Sequence, residues 1–449
     1  MNGEQAFKKL SDDGLKEAKK LGATLTEIVL SSGTEDLTRF ANNMIHQSVS
    51  LTDSLVHVRF IIGKKIGVAR TNRLDREGIV AAIHQARALA LLQREDRHFV
   101  GLPEKASYTS IKEQYTKARH LGAQGRAKAV AKVIMGAKSK SLSASGAFVE
   151  SENESAVANS NGVWAYQQSK SASLSTIFTG AKGSGFASHS AKGGRDIDIA
   201  EVTKTAVFKA TEGKDVEVPA GEYEVILEAP AVAELLDFFA WLGPNARIYH
   251  EDVSFYQGNI GKRLFHPSLT IHDDPFHELG YPTAFDSEGF PKAKHTLVDK
   301  GVLKEVVYDS YHAAKYGKQN TGHALLAPNT FGPIATHLTI EPGQKSVEQM
   351  IRGIKKGLLI TRFWYTRVIA QKSLTLTGMT RDGTFYIENG KIIGRVRNLR
   401  YTESVVDVLK DVRAVGRELQ LIGTDEGSPT IAPALHLGKF RFTGVTKHR

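Results

Sequence analysis

The sequence predicts an α+β chain: an N-terminal domain of duplicated helix–antiparallel meander–helix units, then a mostly antiparallel β domain with covering helices. Three observations predict it. The same order of segments occurs twice before residue 213, the composition shifts across Thr211–Pro230, and β-patterned segments with turn residues crowd the rest of the chain.

The first unit, within 1–95, opens with a polar-faced helix over about Glu4–Leu21. The β-rich segments "TEIVLSS", "DLTRFANN", "MIHQSVSL" and "LVHVRFIIG" follow, and a helix over about Arg76–Leu92 closes it. The second unit, within 120–213, repeats this order. A helix near Gly125–Lys138 leads to "SGAFVESE", "ESAVANS", "VWAYQQSK" and "LSTIFTGAKGSGFAS", and a helix over about Asp198–Thr211 ends it. Period-2 alternation with Ser, Thr, Asn and Gly punctuation is the pattern of antiparallel hairpins. These units form the first domain, 1–213, and 214–449 forms the second.

In the second domain "YEVILEA" reads as a buried strand. Pro230 suits the first turn of the helix "PAVAELLDFFAWLG", which ends at Gly243 and is apolar almost all round, as a helix inside a core must be. A hairpin turns at Asp299, Lys300 and Gly301. A short helix runs from the cap Asp309 to the stop Gly317, and Ser346 with Gln349 forms a capping box. "LLITRFWYTRVI" and "SLTLTGMT" are strands, and Asn389-Gly390 marks a hairpin in "TFYIENGKIIG".

With 41% apolar and 24% charged residues the composition is globular, and no apolar run reaches the roughly 18 residues that span a bilayer. The N-terminus has no signal-peptide core, so the expected location is cytoplasmic. The absence of cysteine excludes disulfides, thiolate zinc sites and a thiol nucleophile, so any metal must be held by His, Asp or Glu. The net charge of +11 is scattered, with local excesses at Arg352–Lys372 and Lys391–Arg400 and no nucleic-acid motif beside them. It reads as a solvated surface or a docking face for an acidic partner.

Four clusters carry chemistry-bearing residues. His250-Glu251 begins like a zinc helix, but Ser254 and Phe255 stand where a second histidine would be needed, so the pair is expected on a loop. "HDDPFHE" offers His272, Asp273 and His277 as metal ligands, although Pro275 and strand alternation favour a turn with solvated charges. In "AFDSEGFP", Asp286 and Glu288 are an acid–base pair or exposed carboxylates on a turn made by Gly289 and Pro291. "NTGHA" sets Asn320, Thr321, Gly322 and His323 on a loop of the kind that carries binding groups.

Taken in order, "RFANNMIHQ", "TAFDSEGFPKAKHTLVDKGVLKEVVYDSYHAAKYG", "NTGHA" and "TRDGTFYIENGKI" resemble the TldD/PmbA family, once described as modulators of DNA gyrase, over almost the whole chain. The resemblance implies a subunit of a TldD/TldE-type zinc metalloprotease, in which two related chains enclose a chamber that admits unfolded peptides. In that family's catalytic chain a helix carries His-Glu-three spacers-His, and a cysteine nearer the C-terminus completes the zinc site. Carried over, the helix is "PAVAELLDFFAWLG" and the metal slots are Ala233 and Phe238. Glu234 matches the general base, and the cysteine's place falls in Gly423–Pro429, where there is none.

The chain is therefore similar to the TldE/PmbA type, the non-catalytic partner. That implies no cofactor in this chain, zinc in a TldD-like partner, assembly as a heterodimer or homodimer, and unfolded peptide as substrate. Asn320, Thr321, Gly322, His323, Asp286 and Glu288 are then expected to line the chamber or an interface. The alternatives are an independent metal-dependent hydrolase using His272, Asp273 and His277, and a nucleic-acid or gyrase-associated binding protein.

Overall fold

A computed structural model of the chain describes residues 2–181, 183–423 and 428–446. Its first part runs α1 (Glu4–Lys20), β1 (Leu25–Ala41), β2 (Met44–Ile62), β3 (Lys65–Thr71) and α2 (Arg76–Leu92). Then come α3 (Lys112–Lys117), α4 (Gly122–Lys138), β4 (Ser143–Asn159), β5 (Trp164–Gly180), β6 (Gly183–Ala191) and α5 (Ile199–Thr211). The strands make one antiparallel sheet in the order β3-β2-β1-β4-β5-β6, so the two units join through their first strands.

The β-rich segments that look like four per unit are three strands, because their internal Ser and Gly residues do not turn the chain. Gly33 is the clearest case. It lies opposite Asn153 at the middle of the β1–β4 pairing, and a Cβ there would come within 1.9 Å of the Asn153 side chain. Glycine is needed for close approach rather than for a bend. α1 and α2 cover one end of one sheet face, burying Ile28, Val58, Phe60 and Ile83, and α4 and α5 bury Phe40, Phe148 and Phe178 at the other end.

The second part begins with β7 (Lys214–Val216), β8 (Gly221–Leu227), α6 (Ala229–Leu242), α7 (Ala246–His250), β9 (Ile271–Asp273), β10 (His295–Asp299), β11 (Val302–Leu303) and α8 (Ser310–Tyr316). It continues through β12 (Leu338–Ile340), α9 (Val347–Gly353), β13 (Lys356–Ala370), β14 (Thr375–Glu388), β15 (Lys391–Val396) and β16 (Leu399–Ser404). α10 (Val405–Val408), β17 (Val412–Val415), β18 (Gln420–Ile422), β19 (Thr430–Ala432) and β20 (Leu435–Val445) complete it. One sheet has the order β11-β10-β9-β12-β19-β18. In the other, β13, β8, β20, β16 and β14 close a ring, since β13 also pairs with β14. The fold class is the α+β one that the sequence predicts, with parallel pairings at β8–β13, β7–β15 and β12–β19.

α6 lies inside this second part as its composition requires. Phe239 is fully buried against Phe255, Tyr256 and Phe265, with ring centroids 5.8, 6.2 and 6.3 Å away. Both short hairpins turn through left-handed residues, Lys300-Gly301 and Asn389-Gly390. The capping box of Ser346 and Gln349 is formed. His250 is a correction. It ends the one-turn helix α7, capped by the Asn245 side chain, instead of sitting on a loop; its ring stacks on Tyr316 at 3.6 Å and its Nε2 lies 3.1 Å from the Tyr308 hydroxyl.

Candidate functional site at the junction of the two parts

The "FDSEG" turn and the "NTGHA" loop are one structure. Oδ1 of Asp286 accepts the N–H groups of Glu288 and Phe290 at 3.0 and 2.9 Å, which folds the turn, and Oδ2 accepts the N–H of Ala324 at 2.9 Å. In return the N–H of Ser287 donates to the Ala324 carbonyl at 3.2 Å. Burial, then the Glu288 carboxylate beside it, push the Asp286 carboxyl up to about 7, against the pull of the Ala324 and Phe290 N–H groups and of Lys292.

Asp286 and Glu288 are therefore buried, which corrects the expectation of exposed carboxylates. What buries them is the N-terminal sheet. Arg59 on β2 donates to Glu27 of β1 at 2.8 Å and to Glu288 at 3.4 Å, a carboxylate–guanidinium–carboxylate bridge across the two parts. His57, two residues back on the same face, lies with Nε2 2.6 Å from the Ala327 carbonyl, and Arg70 donates to that carbonyl at 3.1 Å. Sequence reasoning missed Glu27, His57 and Arg59. The signal was "LVHVRFIIG", where polar residues at alternate positions of an apolar strand mark a second buried face.

Asp273 is fully buried at the foot of the loop. It accepts from His323 Nε2 at 3.0 Å and from the His337 N–H at 2.6 Å, and Lys292 Nζ is 3.6 Å away. Burial alone would raise its carboxyl; Lys292 and His323 outweigh that and hold it well below the usual carboxylate range. Burial lowers His323 to about 4 and His337 to about 3, so both rings are neutral at pH 7. An ionised carboxylate can only accept, so His323 carries its proton on Nε2, and Nδ1 faces the Thr321 hydroxyl at 2.9 Å.

This Thr321–His323–Asp273 line has the connectivity of a nucleophile relay but not its exposure. His323 is buried, and the Thr321 hydroxyl also accepts the Tyr308 N–H at 2.7 Å and lies 3.0 Å from the Tyr308 carbonyl. The line pins the loop to β9. Asn320 completes the local frame, accepting the Gly322 N–H at 2.8 Å and donating to the Ser310 hydroxyl at 2.9 Å. Beside the junction lies a cavity of about 230 Å³ whose walls include Val29 and Val157 of the sheet and Asp286, Lys292, His323 and Thr336 of the second part.

The structure does not gather the proposed metal ligands. His272 and Asp273 are neighbours on β9 and face opposite ways. His272 reaches Thr296 and Glu341, at 3.1 and 2.9 Å, while Asp273 faces His323. His277 stands apart, its Nδ1 accepting the Leu279 N–H. Strand alternation is the reason, and it corrects the expectation of a solvated turn for His272 and Asp273, which are buried, while Pro275-Phe276 turn as expected and Glu278 is exposed. Among the described residues no group of three His, Asp or Glu side chains could hold a metal ion.

The helix that the resemblance matches to the zinc helix is α6. It packs against β13 and the β18–β19 pair. Ala233 is fully buried and Phe238 is packed on the hydrophobic core. Neither side chain can donate to zinc, so the residues present do not fit that metal. Glu234 bonds the Thr366 hydroxyl, which is 2.9 Å from the Tyr401 hydroxyl. Of the cysteine's place, Gly423–Pro429, residues 424–427 lie outside the described residues.

A duplicated antiparallel platform clamped to a β-rich part that encloses an apolar helix defines the class of protein. The chain belongs to the PmbA/TldD metallopeptidase family. Residues 26–90 match PmbA/TldA metallopeptidase domain 1, residues 111–213 the central domain and residues 220–444 the C-terminal domain. The chain is 24% identical over 285 residues to a metalloprotease of Methanothermobacter thermautotrophicus, covering 61% of this chain and 62% of that one. It is 26% identical over 187 residues to metalloprotease PmbA of Escherichia coli O157:H7, covering 41% and 39%. The match thus spans less than two thirds of either curated relative. The fold is similar to that of TldE from Thermococcus kodakarensis, with a TM-score of 0.87 at 22% identity over 97% of this chain and all of that one.

Proposed function

We propose that this chain is a non-catalytic, TldE-type subunit of a zinc metalloprotease assembly that processes unfolded peptides in the cytoplasm. The observation that carries the reading is α6, where Ala233 and Phe238 stand in the two histidine slots and Glu234 is tied to Thr366. The complete lack of cysteine agrees with it. Zinc and the water that it would activate belong to a TldD-like partner carrying His-Glu-x-x-x-His, and this chain's contribution is to close the chamber and to hold peptide. A second copy of this chain is the other partner to consider. Of the candidate residues, Asn320, Thr321, Gly322, His323, Asp286 and Glu288 support the wall through the junction rather than touch substrate.

Metal analysis by mass spectrometry and a peptide-cleavage assay on the purified chain test this. We expect neither bound zinc nor cleavage alone, and a partner with the zinc motif in a pull-down of the native complex. Stoichiometric zinc with activity would overturn it. An independent hydrolase on His272, Asp273 and His277 has no geometric support, and a nucleic-acid or gyrase-associated role rests on the +11 charge and the family's older description. Unchanged retention on DNA as salt is raised would remove the latter.

A further inference from the structure

The outer half of β13 departs from regular strand geometry. Its pairing with β14 slips three times, at Ile360/Arg362, Trp364/Arg367 and Val368/Ala370. At the middle slip Tyr365 takes a left-handed conformation, φ 58°, which a bulky side chain adopts only when its surroundings enforce it. The anchor is the next residue, since buried Thr366 points inward to Glu234 and Tyr401. Turning Thr366 in throws Tyr365 out, and that residue is 65% exposed, next to Trp364 at 38% and Ile369 at 60%.

Guanidinium groups lie over these rings and over Phe186 of β6. Arg367 lies 4.3 Å over Tyr365, Arg381 4.5 Å over Trp364, and Arg362 4.4 Å over Phe186. A stacked guanidinium keeps its hydrogen-bonding edge free for a carboxylate. The balance is cationic: Asp382 is held by Arg362 and lies 3.7 Å from Arg381, whereas Arg367, whose Nη1 donates to the Thr366 carbonyl at 2.8 Å, has no carboxylate in ion-pair reach among the described residues. Arg362 and Arg367 come from the basic stretch Arg352–Lys372 and Arg381 joins them from β14, beside Thr366, which bonds Glu234 of α6.

We propose that the outer half of β13 binds acidic, extended peptide segments, with Arg367 and Arg381 engaging carboxylates and Trp364 and Tyr365 covering the neighbouring apolar atoms. This deepens the peptide-handling reading above by naming a substrate class. Its readout is charge preference in binding, so it is scored separately from any zinc or cleavage result. Two exposed ion pairs at this rim amount to roughly a fivefold to tenfold preference at low salt, reduced as ionic strength rises.

The test is fluorescence anisotropy with the full chain and fluorescein-labelled unfolded peptides of one length, whose variable positions are all Glu, all Gln or all Lys. We expect the Glu peptide to bind tightest, Arg367→Glu with Arg381→Glu to abolish that preference, and Trp364→Ala to weaken all three. Lys19→Glu with Lys20→Glu on α1, which changes net charge equally, should leave the preference in place. Arg367→Gln, which spares the Asp382 contacts, keeps the test valid if the double reversal fails to fold. Equal binding of the Glu and Gln peptides, no binding, or the same loss in the α1 variant would each overturn the proposal.

Discussion

The N–H of Ala324 donates to Oδ2 of Asp286 at 2.9 Å, joining two loops 38 residues apart in the chain. Asp286→Asn puts an amide donor opposite one or two of the three N–H groups that the carboxyl accepts, and should cost about 1–3 kcal/mol in urea unfolding. The pH dependence has a definite sign. The folded carboxyl is raised from 3.8 to about 7 and so binds protons more tightly than the unfolded one. Its stabilising share is complete below about pH 4 and is lost as pH rises to about 7. The wild-type curve minus the Asp286→Asn curve should slope downward across that window.

His323 slopes the other way. Its folded value is lowered from 6.5 to about 4, so the unfolded state takes up the proton first as pH falls. Stability is complete above about pH 6.5 and is lost toward pH 4. His323→Gln keeps a donor toward Asp273 and removes the titration, so its unfolding free energy should vary less over this range than that of the wild type.

Arg59 is the guanidinium shared by two buried carboxyl groups. Arg59→Met should destabilise by about 3–5 kcal/mol because Glu27 and Glu288 remain buried and unpaired. Adding Glu27→Met and Glu288→Met should recover most of the loss in the same chemical-denaturation assay.

Gly289 closes the "FDSEG" turn with φ 76°, and a Cβ would come within 2.8 Å of Val163 and 3.1 Å of Val157. Gly289→Ala should cost about 1–3 kcal/mol. It should also raise amide exchange selectively at Phe285–Phe290 and at Ala324.

The repeated platform was legible because each unit rewrites the same helix and strand periods, and the apolar helix was legible from composition alone. Strand number was not. Ser31, Ser32 and Gly33 look like punctuation, and only the opposing Asn153 shows why a small residue is needed there. The site was half legible. Glycine and polar residues marked "FDSEG" and "NTGHA", but nothing local said that Asp286 would be buried, since Arg59, Val157 and Val163, which pack on its turn, belong to a sheet far earlier in the chain. For His272 and Asp273 the residue types suggested a metal and the two-residue period of β9 separated them.

The bridge from Glu27 through Arg59 to Glu288 bears on modularity. A chain cut between the two parts would leave Arg59 with one of its carboxylates and Glu288 with no guanidinium, beside a newly wetted apolar face at Val29, Val157 and Phe285. The composition shift near residue 213 thus falls between sheets that share no strand, while the packing runs across it. Cut apart, each half would expose groups that the junction now buries, so the two are suited to expression as one chain rather than to grafting singly.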